Sequence, residues 1–249
     1  MKLNSSLPGV ARKATFGAAI IFAASSLIFT GCQKDSAPKP DPSASAAVAT
    51  TATRPPIGAG RNLSTGSDHG YFYQCYVSSG SGSISFPQAG TYAGNFQANW
   101  SNVGDIVAGK GWNPGSVRVV NYNCGSLTGS YNNFSVYGWT TSPLIEYYVC
   151  ELGSVASGSA IGTLSSDGHN YTVYKHQQIG QPSIQGTATF WQYLSQWGGS
   201  STGSNHAVTL ANHFNYWNSH IGQMGALNLQ ILAIEAYGNK SGSCNATVW

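Results

Sequence analysis

Hydrophobic positions change character along the 249-residue chain. Residues 14–30 (ATFGAAIIFAASSLIFT) form a nearly unbroken apolar run, whereas residues 33–66 show no apolar periodicity. Beyond residue 67, short segments alternate in polarity and are punctuated by glycine-containing turns, as in 91–100, 117–122, 134–139, 144–150 and 229–237. Period-two alternation places neighbouring side chains on opposite faces of a strand. In 144–150, Glu146 and Tyr148 therefore share one face, and Ile145, Tyr147 and Val149 the other. Helical spacing occurs in one stretch, where Leu210, Phe214, Trp217 and Ile221 line one side of a three-turn helix. The pattern predicts an all-β antiparallel sandwich with a single α-helix. No internal repeat is visible.

The apolar run follows Lys2, Arg12 and Lys13 and is shorter than a spanning helix requires, so it reads as the core of an export signal. Thr30-Gly31-Cys32 resembles the end of a bacterial lipoprotein signal, with Phe29 where Leu, Val or Ile is usual. Residues 1–32 are thus a lipoprotein-type signal segment, and lipidated Cys32 becomes a membrane anchor. Residues 33–66, rich in Pro, Ala, Ser and Thr, form a disordered tether. Residues 67–249 make one domain, of a size that buries a single substantial core. The expected location is the cell surface or outer membrane; with simple secretion as the alternative, the protein is exported either way.

Composition agrees with strands and turns: 31 residues are glycine, 12% are aromatic and only 8% are charged. The positive surplus behind the net charge of +3 lies wholly in the first 61 residues. Residues 62–249 hold Lys110, Arg118, Lys175 and Lys240 against Asp68, Asp105, Glu146, Glu151, Asp167 and Glu235. Without clustered Lys and Arg, no nucleic-acid partner is expected. Four cysteines follow Cys32, namely Cys75, Cys124, Cys150 and Cys244. In an exported chain they predict one or two disulfides, in any of three connectivities. Their wide spacing argues against structural zinc, and His213 and His220 are placed beside the core rather than on a metal. No metal and no organic cofactor are expected, and the expected state is a monomer.

Acid–base chemistry has few carboxylates to draw on. Glu146 and Glu235 each interrupt an otherwise apolar, tyrosine-containing strand, where a charge is costly unless paired or facing a cleft. Glu235 shares its face with Ala233 and Tyr237. Glu151 has the opposite parity to Glu146, lies at a strand end and is assigned to solvent. Two such acids suit a glycosidase, one ionised as nucleophile and the other held protonated as acid and then base. Each could equally be a buried residue hydrogen-bonded to a neighbouring tyrosine.

From about His69 onward, the chain resembles the glycoside hydrolase family 11 endo-β-1,4-xylanases. The resemblance is carried in order by NWSNVGDIVAGKGW (99–112), VNYNCG (120–125), VYGWTTSPLIEYYV (136–149), GQPSIQGTATFWQYLS (180–195), ANHFNYWNSH (211–220), AIEAYGNKSGS (233–243) and ATVW (246–249). It implies a β-jelly roll of two curled antiparallel sheets, one helix and a thumb hairpin, with xylan as the substrate. By the same resemblance Glu146 is the nucleophile and Glu235 the acid/base, with Ala236 in place of the usual glycine. Tyr137, Trp139, Tyr148, Gln192 and Tyr237 become substrate-binding residues, and Pro182, Ser183 and Ile184 the thumb tip. Asp105 stands where the family carries Asn or Asp. The Asp form implies a carboxyl hydrogen-bonded to the acid/base and an acidic pH optimum, the alternative being a solvated turn aspartate. Tyr76, a further substrate contact, stands where Trp is frequent, Gln178 where Arg is frequent, Leu194 where Trp is usual and Leu229 where a cleft Tyr is found. The implied reaction is retaining hydrolysis, with the carboxyl groups roughly 5–5.5 Å apart. An endo-β-1,4-glucanase and a non-catalytic carbohydrate-binding module are the alternatives.

Overall fold

The computed structural model describes residues 62–249, where eleven strands and one helix follow one another. The expected signal segment 1–32, with Cys32, and most of the expected tether lie outside the described residues. Strand β1 (Asn62–Asp68) pairs with β2 (Tyr71–Ser85), so residues 62–66, expected to close the tether, belong instead to the sheet. Their short polar side chains carry no hydrophobic alternation, which is why the sequence pattern hides an edge strand there.

Strand β3 (Asn95–Trp112) lies between β2 and the 23-residue β11 (Ala226–Val248). The turn over 91–94 precedes β3, although that stretch reads as strand in the sequence. The first half of β11 pairs with β5 (Asn133–Thr141) and its second half with β4 (Val119–Gly129), which also pairs with β10 (Asn205–Thr209). Beyond β5 the order continues through β6 (Ile145–Gly153), β9 (Gly186–Gln196), β8 (His169–Ser183) and β7 (Ala160–Ser166).

Each long strand has a register break: Val77 to Ser81 in β2, Ser101 to Asp105 in β3 and Tyr237 to Gly242 in β11. Bulges increase local twist and bend a sheet, and here three are aligned. Gly80 and Asn102 adopt positive φ at this bend, and a Cβ on Gly80 would meet the Asn102 carbonyl. The sheet folds over on itself and encloses a core that includes Phe96, Tyr122, Phe134, Tyr147, Ile234 and Cys244. All pairs are antiparallel except β6 with β9, which run parallel, a departure from the wholly antiparallel expectation.

Helix α1 (Leu210–His220) occupies the predicted stretch. Its buried face presents Phe214 and Trp217 to Tyr147, with ring centroids 5.3 and 6.0 Å away. The helix thus supports the back of β6. Thr209, at its N-terminus, is held by Asp167, which accepts from the Thr209 backbone N–H (2.8 Å) and hydroxyl (2.6 Å). His213 is fully buried, and desolvation pulls its imidazole down to about 3, so it is neutral; His220 lies on the surface, stacked on Tyr216.

Two further expectations are overturned. The four cysteines are buried free thiols. They pack as small apolar groups, and burial pushes Cys75 and Cys150 up to about 12. Glu151 is also buried rather than solvated. Ser135 pairs with Cys150 and Phe134 with Leu152, so Glu151 is the extra residue of a bulge. There it accepts hydrogen bonds from Tyr122 (2.7 Å) and Tyr171 (2.8 Å). Glu151 has the parity of Ile145, Tyr147 and Val149, which enter the core, so alternation already points it inward; its place at a strand end, from which solvent was inferred, does not expose it.

Burial pushes the Glu151 carboxyl from 4.5 up to about 7, against the pull of the two tyrosine hydroxyls. The folded chain therefore holds this proton more tightly than the unfolded one. That contribution is complete below about pH 4.5 and is lost as pH rises through about 7, amounting to about 3 kcal/mol at most. Calorimetric melts of the wild type and Glu151→Gln between pH 4 and 8 should show the wild-type Tm falling more steeply; parallel curves would refute the linkage.

Candidate active site

The concave face of β1, β2, β3, β11, β5, β6, β9 and β8 forms a cleft that holds both anomalous glutamates. Alternation works as expected in β6: Ile145, Tyr147 and Val149 enter the core, while Tyr148 joins an apolar cluster under the cleft with Tyr137, Trp139, Phe190, Leu194 and Leu229. Register then sets the neighbours. Antiparallel pairing puts Trp139 opposite Glu146 and Tyr137 opposite Tyr148, and the parallel β6–β9 pair brings Gln192 level with Glu146. Glu235 lies two strands away on β11, opposite Asn133 of β5.

Glu146 is 8% exposed and receives three donors: Tyr137 Oη on Oε1 (2.8 Å), Tyr148 Oη on Oε1 (3.2 Å) and Gln192 Nε2 on Oε2 (2.7 Å). Trp139 Nε1 donates in turn to Tyr137 Oη at 2.5 Å, which fixes the direction of the tyrosine proton. Desolvation raises the Glu146 carboxyl to about 7, opposed by those three donors and aided by the charge of Asp105. Burial also pushes the Tyr137 and Tyr148 hydroxyls far up, so both stay protonated and able to donate.

Glu235 is half-buried. Asn133 Nδ2 donates to its Oε2 at 2.5 Å, and Ser135 Oγ donates to Asn133 Oδ1 at 2.6 Å, which orients the carboxamide. Tyr148 Oη lies 3.4 Å from Glu235 Oε1, so one hydroxyl touches both carboxyl groups. Desolvation and then the charges of Asp105 and Glu146 hold the Glu235 proton well above the usual carboxylate range. The pair is thus split, with the more tightly held proton on Glu235.

Asp105 lies on the cleft wall within β3, not in a solvated turn. Its strand partner is Tyr237, which makes it a diagonal neighbour of Glu235 on the same face. The two are linked through charge, and Asp105 Oδ1 is buried without a hydrogen-bond partner. Desolvation raises Asp105 to about 6.

Of the remaining expected contacts, Tyr76, Pro182, Ser183, Ile184 and Gln192 line the cleft, the middle three from the thumb formed by β8 and β9. Tyr237 does not. It is 47% exposed beyond the catalytic pair, with its backbone N–H on Asn132 Oδ1 and Lys240 over its ring. Leu194 and Leu229 sit under the cleft floor, and Gln178 donates to Gln192. The sequence reading missed Asn133, and also Leu63 and Gln74 on the cleft wall. Asn133 adjoins a predicted strand, but nothing local signals that its partner is Glu235.

Comparison with known proteins converges on this site. Residues 68–247 match the model of the glycosyl hydrolases family 11. An endo-1,4-beta-xylanase B of Penicillium oxalicum is 45% identical over 73% of this chain and 58% of its own length, so the chain spans little more than half of that relative. An endo-1,4-beta-xylanase 2 of Rhizopus oryzae is 46% identical over 74% of this chain and 84% of its own. Among solved structures, one from a comparison of two major endo-1,4-beta-xylanases of Trichoderma reesei superposes with a TM-score of 0.61, at 38% identity over 71% of this chain and 97% of that one. A jelly roll carrying two glutamates of unequal proton affinity across one tyrosine, matched over this extent, belongs to the glycosyl hydrolases family 11.

Proposed function

We propose that the chain is a retaining endo-1,4-β-xylanase working below neutral pH, exported and held at a membrane through Cys32. The observation that carries the retaining mechanism is Tyr148 Oη, which lies 3.2 Å from Glu146 Oε1 and 3.4 Å from Glu235 Oε1. The two oxygens cannot be farther apart than those distances combined, the lowest edge of the roughly 6.5–9.5 Å that inversion needs for an intervening water.

In the first step Glu146 attacks the anomeric carbon as Glu235 gives its proton to the departing glycosidic oxygen. The C–O bond breaks and a glycosyl ester forms. Glu235, now ionised, takes a proton from water whose oxygen attacks the same carbon, and Glu146 leaves. Tyr137, Tyr148 and Gln192 hold the nucleophile still, while Asn133 orients the acid. Thumb residues Pro182 and Ile184 give the cleft a roof that suits an extended chain bound across the strands. Apart from Asp105, Glu146 and Glu235 the cleft lining is uncharged, which suits a neutral polysaccharide.

Glu146→Gln and Glu235→Gln should each lower reducing-end release from xylan by at least about 1,000-fold while leaving xylan binding intact. Release from cellulose but not from xylan would instead make the enzyme a glucanase. Retained activity in both variants would remove the glutamates from the mechanism.

Asp105 supports the acidic profile. The active cluster carries an ionised Glu146 and a proton shared by Asp105 and Glu235, and the proton on Asp105, at about 6, is lost first. Asp105→Asn leaves the proton to Glu235 alone; the raising effect of the Asp105 charge goes, but desolvation, the largest cause, and the charge of Glu146 still hold that proton above the usual range. The basic limb of kcat/KM against pH should therefore move upward by one unit or more; an unmoved limb refutes the role.

The anchor rests on Thr30-Gly31-Cys32 after the apolar run. Cys32→Ala should transfer the enzyme from the membrane fraction to the soluble exported fraction; an unchanged distribution would refute lipidation.

A further inference from the structure

One polar contact in the cleft lies behind the nucleophile rather than on it. Gln178 projects from β8 at the base of the thumb, beside the last regular pair (Gln178 with Phe190) before the register breaks toward the tip. Its Nε2 donates to Gln192 Oε1 at 3.2 Å, and Gln192 Nε2 donates to Glu146 Oε2 at 2.7 Å.

A primary carboxamide has donors on one arm and an acceptor on the other. With Glu146 ionised and able only to accept, Gln192 must turn its NH2 toward the carboxylate, which leaves its oxygen facing Gln178. With Gln178 donating as it does here, rotating the Gln192 amide by half a turn would set oxygen against oxygen at Glu146 and NH2 against NH2 at Gln178, and relieving the second clash would require Gln178 to turn as well. The reversed arrangement becomes tolerable only when Glu146 is protonated and can itself donate. A donor at position 178 therefore favours the Gln192 orientation that suits an ionised nucleophile.

We propose that Gln178 is a positioning residue for this reaction: by donating to Gln192 Oε1 it locks the Gln192 amide onto Glu146 and biases the nucleophile toward its ionised form. The inference rests on Glu146 as nucleophile. It gives the thumb base and the reacting carboxylate one shared hydrogen-bond chain. In place of the arginine frequent in the family, this neutral side chain acts through hydrogen-bond direction rather than through charge. Its length also matters, since the relay spans from β8 to β6 across β9.

Other groups facing Glu146 must be separated from this effect. They are Tyr137 from β5, Tyr148 on its own strand, Asp105 from β3 and Glu235 from β11. His176 of β8 lies directly opposite Gln192 in the ladder. Neutral substitutions at position 178 leave all five in place, so a difference between variants belongs to the relay.

The test follows the Glu146 side-chain carboxyl by carbon-13 NMR titration in the full enzyme, alongside kcat/KM on xylan against pH. Gln178→Met, similar in length but without a donor, should raise the Glu146 midpoint and the acidic limb by about half a pH unit. Gln178→Asn keeps the amide but withdraws it, and should shift them in the same direction; it carries the test if the Met variant does not fold. In a Gln192→Met background, Gln178→Met should give no further shift, because the relay is already cut. An unmoved midpoint in the single variants, or an equal shift in both backgrounds, overturns the proposal. A wild type that titrates as expected but releases no reducing ends from xylan would overturn the proposed activity and leave the relay standing.

Discussion

The site depends on keeping two carboxyl groups a few ångströms apart, in a poorly hydrated cleft, with one proton between them on a known member of the pair. Proximity alone cannot do this, since two like acids in contact share their proton indifferently. Asymmetry comes from what each receives. Glu146 has three donors, from Tyr137, Tyr148 and Gln192, and each favours the anion. Glu235 has Asn133 and the more distant Tyr148, and it faces the charges of both Asp105 and Glu146. The proton settles where there are fewer donors and more negative neighbours.

This asymmetry requires strands held in fixed register, which makes the scaffold part of the chemistry. A one-residue slip of β6 against β9 would turn Gln192 away from Glu146. A slip of β5 against β11 would remove Asn133 from beneath Glu235. The aligned bulges in β2, β3 and β11 bend the sheet next to Asp105 and Tyr237. That bend brings the second layer over the core and leaves the inner face concave. Helix α1 meets the back of Tyr147, whose neighbours in sequence are Glu146 and Tyr148. Core packing and catalytic geometry thus meet in three consecutive residues.

Local pattern made part of this legible. The apolar face of α1 is written in Leu210, Phe214 and Trp217, and the period of β6 predicts that Glu146 and Tyr148 face away from the core. Both catalytic candidates are conspicuous because a glutamate in an apolar strand is costly. What escaped was every feature set by pairing between distant segments. The parallel β6–β9 register and Asn133 under Glu235 have no local signature, because a partner strand is chosen by the whole sheet; the strand over 62–68 forms a tight local hairpin with β2 and escaped because it lacks hydrophobic alternation. Glu151 was misread for a different reason: its parity is that of Ile145, Tyr147 and Val149, but a place at the strand end was taken for exposure, whereas Tyr122 and Tyr171 cover it. The cysteines were misread from compartment and number. Their side chains face the interlayer core, where a thiol serves as a small apolar group.

Scarcity of charge acquires a physical meaning from this geometry. Of the six carboxylates in residues 62–249, three meet in the cleft, Glu151 is sealed in the core, Asp167 holds the start of α1 and Asp68 is tied to Lys110 at 2.5 Å. Each acid therefore has a defined partner or task. A cation near the cleft would favour the anionic form of every carboxyl within its reach rather than of one. A neutral residue at position 178 follows the same logic, since a glutamine can bias one carboxylate by direction where a fixed charge would act on all three. The cleft is tuned by hydrogen bonds because hydrogen bonds, unlike charges, can be aimed at one member of a crowded cluster.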